Sequence, residues 1–189
     1  MKIKIGTMLT ALAFSFAAHA AAPEDTLVIK LKDGDVTVAL RPDLAPKHVA
    51  QIKALAKKGF YDGVVFHRVI DGFMAQTGDG QYGDSDGNFD LNAAGTGGSD
   101  MPNIPAEFSK EPFVRGTVGM ARSQDPNSAN SQFFIMFAPG DFLNGQYTVV
   151  GQVETGMELV DKIKKGDQNN NGSVADPDKM ISVKTAAGN

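Results

Sequence analysis

Apolar and polar residues alternate, with breaks, through Thr26-Leu27-Val28-Ile29-Lys30-Leu31-Lys32 and again through Val36-Thr37-Val38-Ala39-Leu40, with Asp33-Gly34 between the runs. A β-branched, period-two pattern interrupted by Asp-Gly predicts two antiparallel strands joined by a tight turn. From Pro46 the period changes: Val49, Ile52, Leu55 and Ala56 recur at helical spacing until Gly59. Proline suits a first helical position, so this stretch predicts an amphipathic helix with a lysine-rich outer face. Thr77 to Asp100 is rich in Gly, Asp and Asn and poor in apolar residues, which predicts a long surface loop. Strand-like runs return at Phe113–Ala121, Gln132–Phe137 and Tyr147–Val153, with Met180–Lys184 as the last. In Thr155-Gly156-Met157-Glu158 a hydroxyl precedes a carboxylate by three residues, ahead of Leu159, Val160 and Ile163. This predicts a capping box opening a second helix. Many short strands with two helices predict a mainly β barrel or sandwich, and a barrel would also remove exposed strand edges.

The first residues follow another pattern. Lys2 and Lys4 precede an apolar run from Met8 to Ala18, and Ala18-His19-Ala20 is a small-x-small sequence. The run is too short to span a bilayer and no stop-transfer pattern follows, so residues 1–20 are expected to be a secretory signal peptide and residues 21–189 the mature domain. The protein is expected to be exported, and periplasmic if its source is a Gram-negative bacterium, with no membrane attachment after cleavage. Loss of Lys2 and Lys4, with no acidic residue, takes the formal charge from −4 to −6. An acidic chain repels nucleic acid. The chain has no cysteine, which excludes disulfides, a thiol nucleophile and a thiolate metal site.

Signs of hydrolytic machinery are few: there is no H-E-x-x-H, and only His48 and His67 remain beyond the signal peptide. His48 reads as a solvated or edge histidine. His67, beside Arg68, reads as a neutral core histidine held by hydrogen bonds. The formal G-x-G-x-x-G at Gly78–Gly83 holds Asp79 where a pyrophosphate would lie and opens no apolar helix, so it is accidental. What the sequence offers is Val65–Gln76, where Arg68 stands among Phe73, Met74 and Gln76. A cation beside apolar side chains suits a site that grips a neutral hydrophobic group and hydrogen-bonds one of its atoms.

The blocks Phe66-His67-Arg68-Val69-Ile70-x-Gly72-Phe73-Met74-x-Gln76-x-Gly78-Asp79, Gly119-Met120-Ala121 and Asn130-Ser131-Gln132-Phe133-Phe134-Ile135 resemble the signature segments of the cyclophilins, the peptidyl-prolyl cis/trans isomerases. The likeness runs from about Thr26 to about Lys184, and with the signal peptide it is nearest to exported bacterial members. The resemblance implies a closed eight-stranded antiparallel β-barrel capped by two α-helices. It implies Arg68 as the catalytic residue, with Phe73, Met74, Phe134 and Leu143 lining a proline pocket. Gln76 and Gln132 would bond the substrate backbone or position the arginine, and Ala121 with the backbone of Arg122 would receive the residue before proline. Phe142 stands where a tryptophan is usual, which removes an indole N–H and implies weak cyclosporin binding. Tyr147 stands where a histidine is usual and Arg122 where an asparagine is usual, and the connection from Ser123 to Asn130 is one residue longer.

The resemblance implies acceleration of rotation about X-Pro bonds during folding of exported proteins, on unfolded or proline-containing polypeptides, by a monomer without cofactor. The alternative is a protein that binds or holds proline segments and isomerises them incidentally. Outside this account, Asp167, Asn169, Asn171, Gly172, Val174 and Asp178 fall at positions one, three, five, six, eight and twelve of a calcium-type loop. A shorter aspartate closes it and no helix follows, so a polar connection to the last strand is the expectation. Asn171-Gly172-Ser173 is also a formal glycosylation sequon.

Overall fold

The computed structural model describes residues 21–188, so the expected signal peptide lies outside the described residues. Strands β1 (Thr26–Leu31) and β2 (Gly34–Leu40) pair antiparallel with Leu31 opposite Gly34. The turn is therefore Lys32-Asp33, one residue earlier than the Asp-Gly signal suggested. Leu27, Ile29 and Leu31 alternate into the core from β1, as do Val36, Val38 and Leu40 from β2. Helix α1 (Pro46–Lys57) begins at the proline and buries Val49, Ile52, Leu55 and Ala56, and Gly59 ends the run in the left-handed region at φ +69°. Only glycine adopts that conformation without steric cost.

Strands β3 (Arg68–Ile70) and β4 (Met74–Thr77) form a hairpin around Asp71-Gly72-Phe73, and β5 (Thr117–Met120), β6 (Phe133–Met136), β7 (Val149–Thr155) and β8 (Ser182–Thr185) complete the set. All pairings are antiparallel, in the order β3-β4-β6-β5-β7-β2-β1-β8, and the sheet curls into a half-barrel with β3 and β8 at its edges. Between those edges the 63–69 and 172–181 segments exchange separate backbone bonds, among them Phe66 N to Asp178 O at 2.8 Å and Met180 N to Val64 O at 2.9 Å. Asp176, at φ +52°, interrupts the second segment, and these bonds do not add an eighth ladder to the seven strand pairings.

The second helix is shorter than expected. Helix α2 covers only Met157–Val160, and its N-cap is Gly156, left-handed and without a side-chain cap bond. Thr155 does not cap it: the residue ends β7, and its hydroxyl meets that of Thr37 at 2.7 Å. The Lys165 ammonium then closes the end of the turn on the carbonyls of Asp161 and Ile163.

Every residue of β5 and β6 is buried, so both faces of this part of the sheet are covered. Val118, Met120, Phe133 and Ile135 face the main core. Phe134 and Met136 instead join Met74, Phe113, Leu143 and Val149 in a second apolar cluster, with Phe73, Ala121 and Tyr147 packed against it. That second cluster is the floor of the candidate site.

Candidate active site

Arg68 opens β3, and its side chain is held from two sides. Nε donates to the main-chain oxygen of Asn171 at 3.0 Å and Nη2 to its side-chain oxygen at 3.0 Å, while Nη1 donates to Gln76 Oε1 at 3.2 Å. Gln76 lies directly opposite Arg68 across the β3–β4 pairing. Its Nε2 donates to Gln132 Oε1 at 3.0 Å, and Gln132 Nε2 donates onward to the carbonyls of Gly95 at 3.0 Å and Gly97 at 2.8 Å. Those glycines are themselves gathered by buried Asp79, whose Oδ2 accepts from Gly95 N and Gly97 N and whose Oδ1 accepts from Gln81 N and Tyr82 N. The aspartate that disqualified a dinucleotide loop thus organises the 79–97 segment as its internal anion.

Three bonds to Asn171 and Gln76 leave further Nη protons of the five-donor guanidinium unengaged by oxygen. Nη1 is 3.9 Å from Met74 Sδ, at the edge of a cleft of about 280 Å³. Its lining brings together Arg68, Phe73, Met74, Gln76, Ala121, Arg122, Phe134, Phe142, Leu143 and Tyr147. Gln132 lines a neighbouring cleft of about 400 Å³, together with Thr96, Arg122, Ser123 and Asn130. Phe113 stacks on Phe134 at 5.7 Å, Tyr147 meets Phe134 edge-on at 5.9 Å, and Phe142 is tilted against Phe73 at 5.5 Å. Phe142 is 66% exposed, so it is a lip, while Phe134 at 5% is floor.

Burial lowers Arg68 below the ordinary arginine value, with Tyr147 acting in the opposite sense. An arginine stays charged through such a shift. His67 is pushed down to about 4, first by burial and then by Arg68, against the pull of Asp79. It is neutral at neutral pH, but it is not held by hydrogen bonds as expected: neither ring nitrogen has a partner among the described residues. Gly95 packs so close that a Cβ there would stand 3.0 Å from Nε2. His48 also departs from expectation. It is fully buried, with Nδ1 2.6 Å from Glu107 Oε2, a partner distant in sequence.

The calcium-type loop does not gather its oxygens. Asp167 Oδ1 accepts from Asn169 N at 2.9 Å, Asp178 pairs with Lys32 at 2.7 Å, and Asn171 serves Arg68. Asn171 is the site residue that sequence reasoning placed in another role. Its backbone is left-handed at φ +51°, a conformation asparagine tolerates better than most residues. The asparagine-glycine pair was the available signal.

Residues 26–185 match the family described as cyclophilin type peptidyl-prolyl cis-trans isomerase/CLD. The chain belongs to the cyclophilins. It is similar to a probable peptidyl-prolyl cis-trans isomerase of Brucella suis, 70% identical over 164 residues, which cover 87% of this chain and 84% of that protein. It is also similar to peptidyl-prolyl cis-trans isomerase B of Escherichia coli K12, 36% identical over 69% of this chain and 79% of that one. Among solved structures, a Cryptosporidium parvum cyclophilin crystallised in the presence of the dipeptide Ala-Pro superposes with a TM-score of 0.71 at 25% identity. That match covers 85% of this chain and 98% of the other. This cyclophilin is a peptidyl-prolyl cis-trans isomerase.

Proposed function

We propose that the cleft beside Arg68 is where this cyclophilin turns X-Pro bonds, and that the arginine acts electrostatically without exchanging a proton. Resonance between the nitrogen lone pair and the carbonyl raises a barrier of about 18–20 kcal/mol. As the bond twists, the lone pair localises on nitrogen and becomes an acceptor that the planar bond lacks. A guanidinium proton donated to it then binds the twisted state more strongly than the ground state, which is the condition for catalysis. Phe73, Met74, Phe134 and Leu143 hold the proline ring and keep water from the carbonyl, whose polarity falls on twisting. Gln76, Gln132 and Asn171 orient the arginine. Ala121 and the backbone of Arg122 receive the residue before proline. No cofactor takes part in this scheme.

The observation that carries this reading is the arginine anchored on three bonds at the rim of an apolar pocket. The dipeptide Ala-Pro used with the Cryptosporidium cyclophilin supports proline-containing polypeptides as the substrates. Arg68→Ala is expected to lower kcat/KM on a cis-proline peptide about a hundredfold or more, the scale of losing a transition-state donor; unchanged turnover would remove Arg68 from the reaction.

The N-terminal charge and hydropathy pattern supports export, to the periplasm in a Gram-negative cell, which would make unfolded exported chains the clients. N-terminal sequencing of secreted protein beginning at Ala21 is the expected result. The backbone bonds between the 63–69 and 172–181 segments support reading the curled sheet as a closed barrel.

A further inference from the structure

The chain has four arginines. Two have carboxylate partners: Arg41 lies 2.7 Å from Asp43, and Arg115 lies 2.7 Å from Asp161. The other two, Arg68 and Arg122, stand in the cleft and have no ion pair among the described residues. Arg122 is nevertheless anchored. Its guanidinium lies 4.4 Å from the Tyr147 ring centroid, Nη1 donates to Ser123 O at 2.8 Å and Nη2 to Gln146 O at 3.0 Å, and Nε is buried without a partner. Every acceptor it meets is a neutral carbonyl.

Arg122 is also the wall shared by the proline cleft and its neighbour, and neither cleft has an acidic residue in its lining. The nearest carboxylates along the chain do not correct this. Asp125 turns its Oδ1 to Asn127 N, and Asp141 begins the turn before Phe142 without lining either cleft. In a chain of net charge −4, this one site therefore holds two fixed positive charges and no negative one. An arginine already fixed by stacking and carbonyl bonds loses little freedom when it meets a carboxylate.

Resting on the cleft assignment made above, we infer that the enzyme prefers substrates with an acidic residue directly before proline, and that Arg122 sets this preference. The test compares acetylated and amidated peptides that differ only in Glu, Gln or Lys before proline, by a protease-free exchange measurement. Blocked termini ensure that any carboxylate read is the side chain's. The kcat/KM ratio of Glu to Gln is expected to be about two to five at low salt, the scale of a partly exposed ion pair. It should shrink at high ionic strength, with Lys below Gln. Arg122→Met should bring the ratio to about one, Arg122→Gln should do the same if the first variant folds poorly, and Arg122→Lys should retain part of it. A wild-type ratio of one or less, or a ratio unchanged in Arg122→Met and Arg122→Gln, overturns the inference. Full turnover by Arg68→Ala on all three peptides is a separate result: it overturns the cleft assignment and this inference with it.

Discussion

Asn171 grips Arg68 twice, with its main-chain oxygen on Nε and its side-chain oxygen on Nη2, both at 3.0 Å. Because the backbone there is left-handed at φ +51°, glycine keeps the main-chain bond and removes only the side-chain one, whereas alanine adds strain. Asn171→Gly is expected to lower kcat about three- to tenfold with little change in KM, the cost of one bond to a charged group at an exposed position. Steady-state kinetics on a cis-proline peptide separate the two parameters, and a change confined to KM would make Asn171 a binding residue.

The anion at the centre of the 79–97 segment supports the site from behind. Asp79 is fully buried and accepts four backbone N–H bonds. Asp79→Ala leaves those donors unpaired and is expected to cost about 2–4 kcal/mol, a fall in Tm of roughly 5–15 °C for a domain of this size. Thermal unfolding followed by circular dichroism checks the figure.

Stability should depend on pH through the buried histidines. His67 titrates at about 4 in the folded protein, below its value of 6.5 in an unfolded chain, and burial lowers His48 as well. Between those two pH values the unfolded state binds more protons than the folded one, so stability is lost as pH falls from about 6.5 to about 4. For His67 the loss amounts to at most about 3 kcal/mol. Urea midpoints measured across this window should fall with acidification, and His67→Gln should flatten the slope.

Phe142 at the pocket lip carries the cyclosporin expectation. Phe142→Trp restores an indole N–H at a position that is 66% exposed, and one neutral hydrogen bond corresponds to about a fivefold gain in affinity. Titration calorimetry of wild type against the variant measures it directly.

Much of this was legible along the chain because local pattern and tertiary role agree: Pro46 and Gly59 bound α1, and the β1–β2 alternation matches its burial. The block carrying Arg68, Phe73, Met74 and Gln76 was visible for its residue types, but its hairpin was not. Residues such as Met74 and Ala75 are both buried, one towards each cluster, so no period-two contrast marks the strand. His48 looked solvated because its partner Glu107 is brought to it only by the fold. The capping box misled because strand pairing with Thr37 claimed the Thr155 hydroxyl. Asn171 is a further case, since its oxygens suit a cation and only the β3 edge shows that the cation is Arg68.

The central claim is that Arg68 stabilises the twisted bond through a fixed, non-titrating fork of donors. The most direct measurement is kcat/KM on a cis-proline peptide from pH 6 to 9 for wild type and Arg68→Lys, since lysine keeps the charge and loses the planar fork. The account predicts a nearly flat wild-type profile and a lysine variant at least about tenfold slower throughout. Full turnover by the lysine variant, or a titrating limb in the wild-type profile within this range, would contradict it.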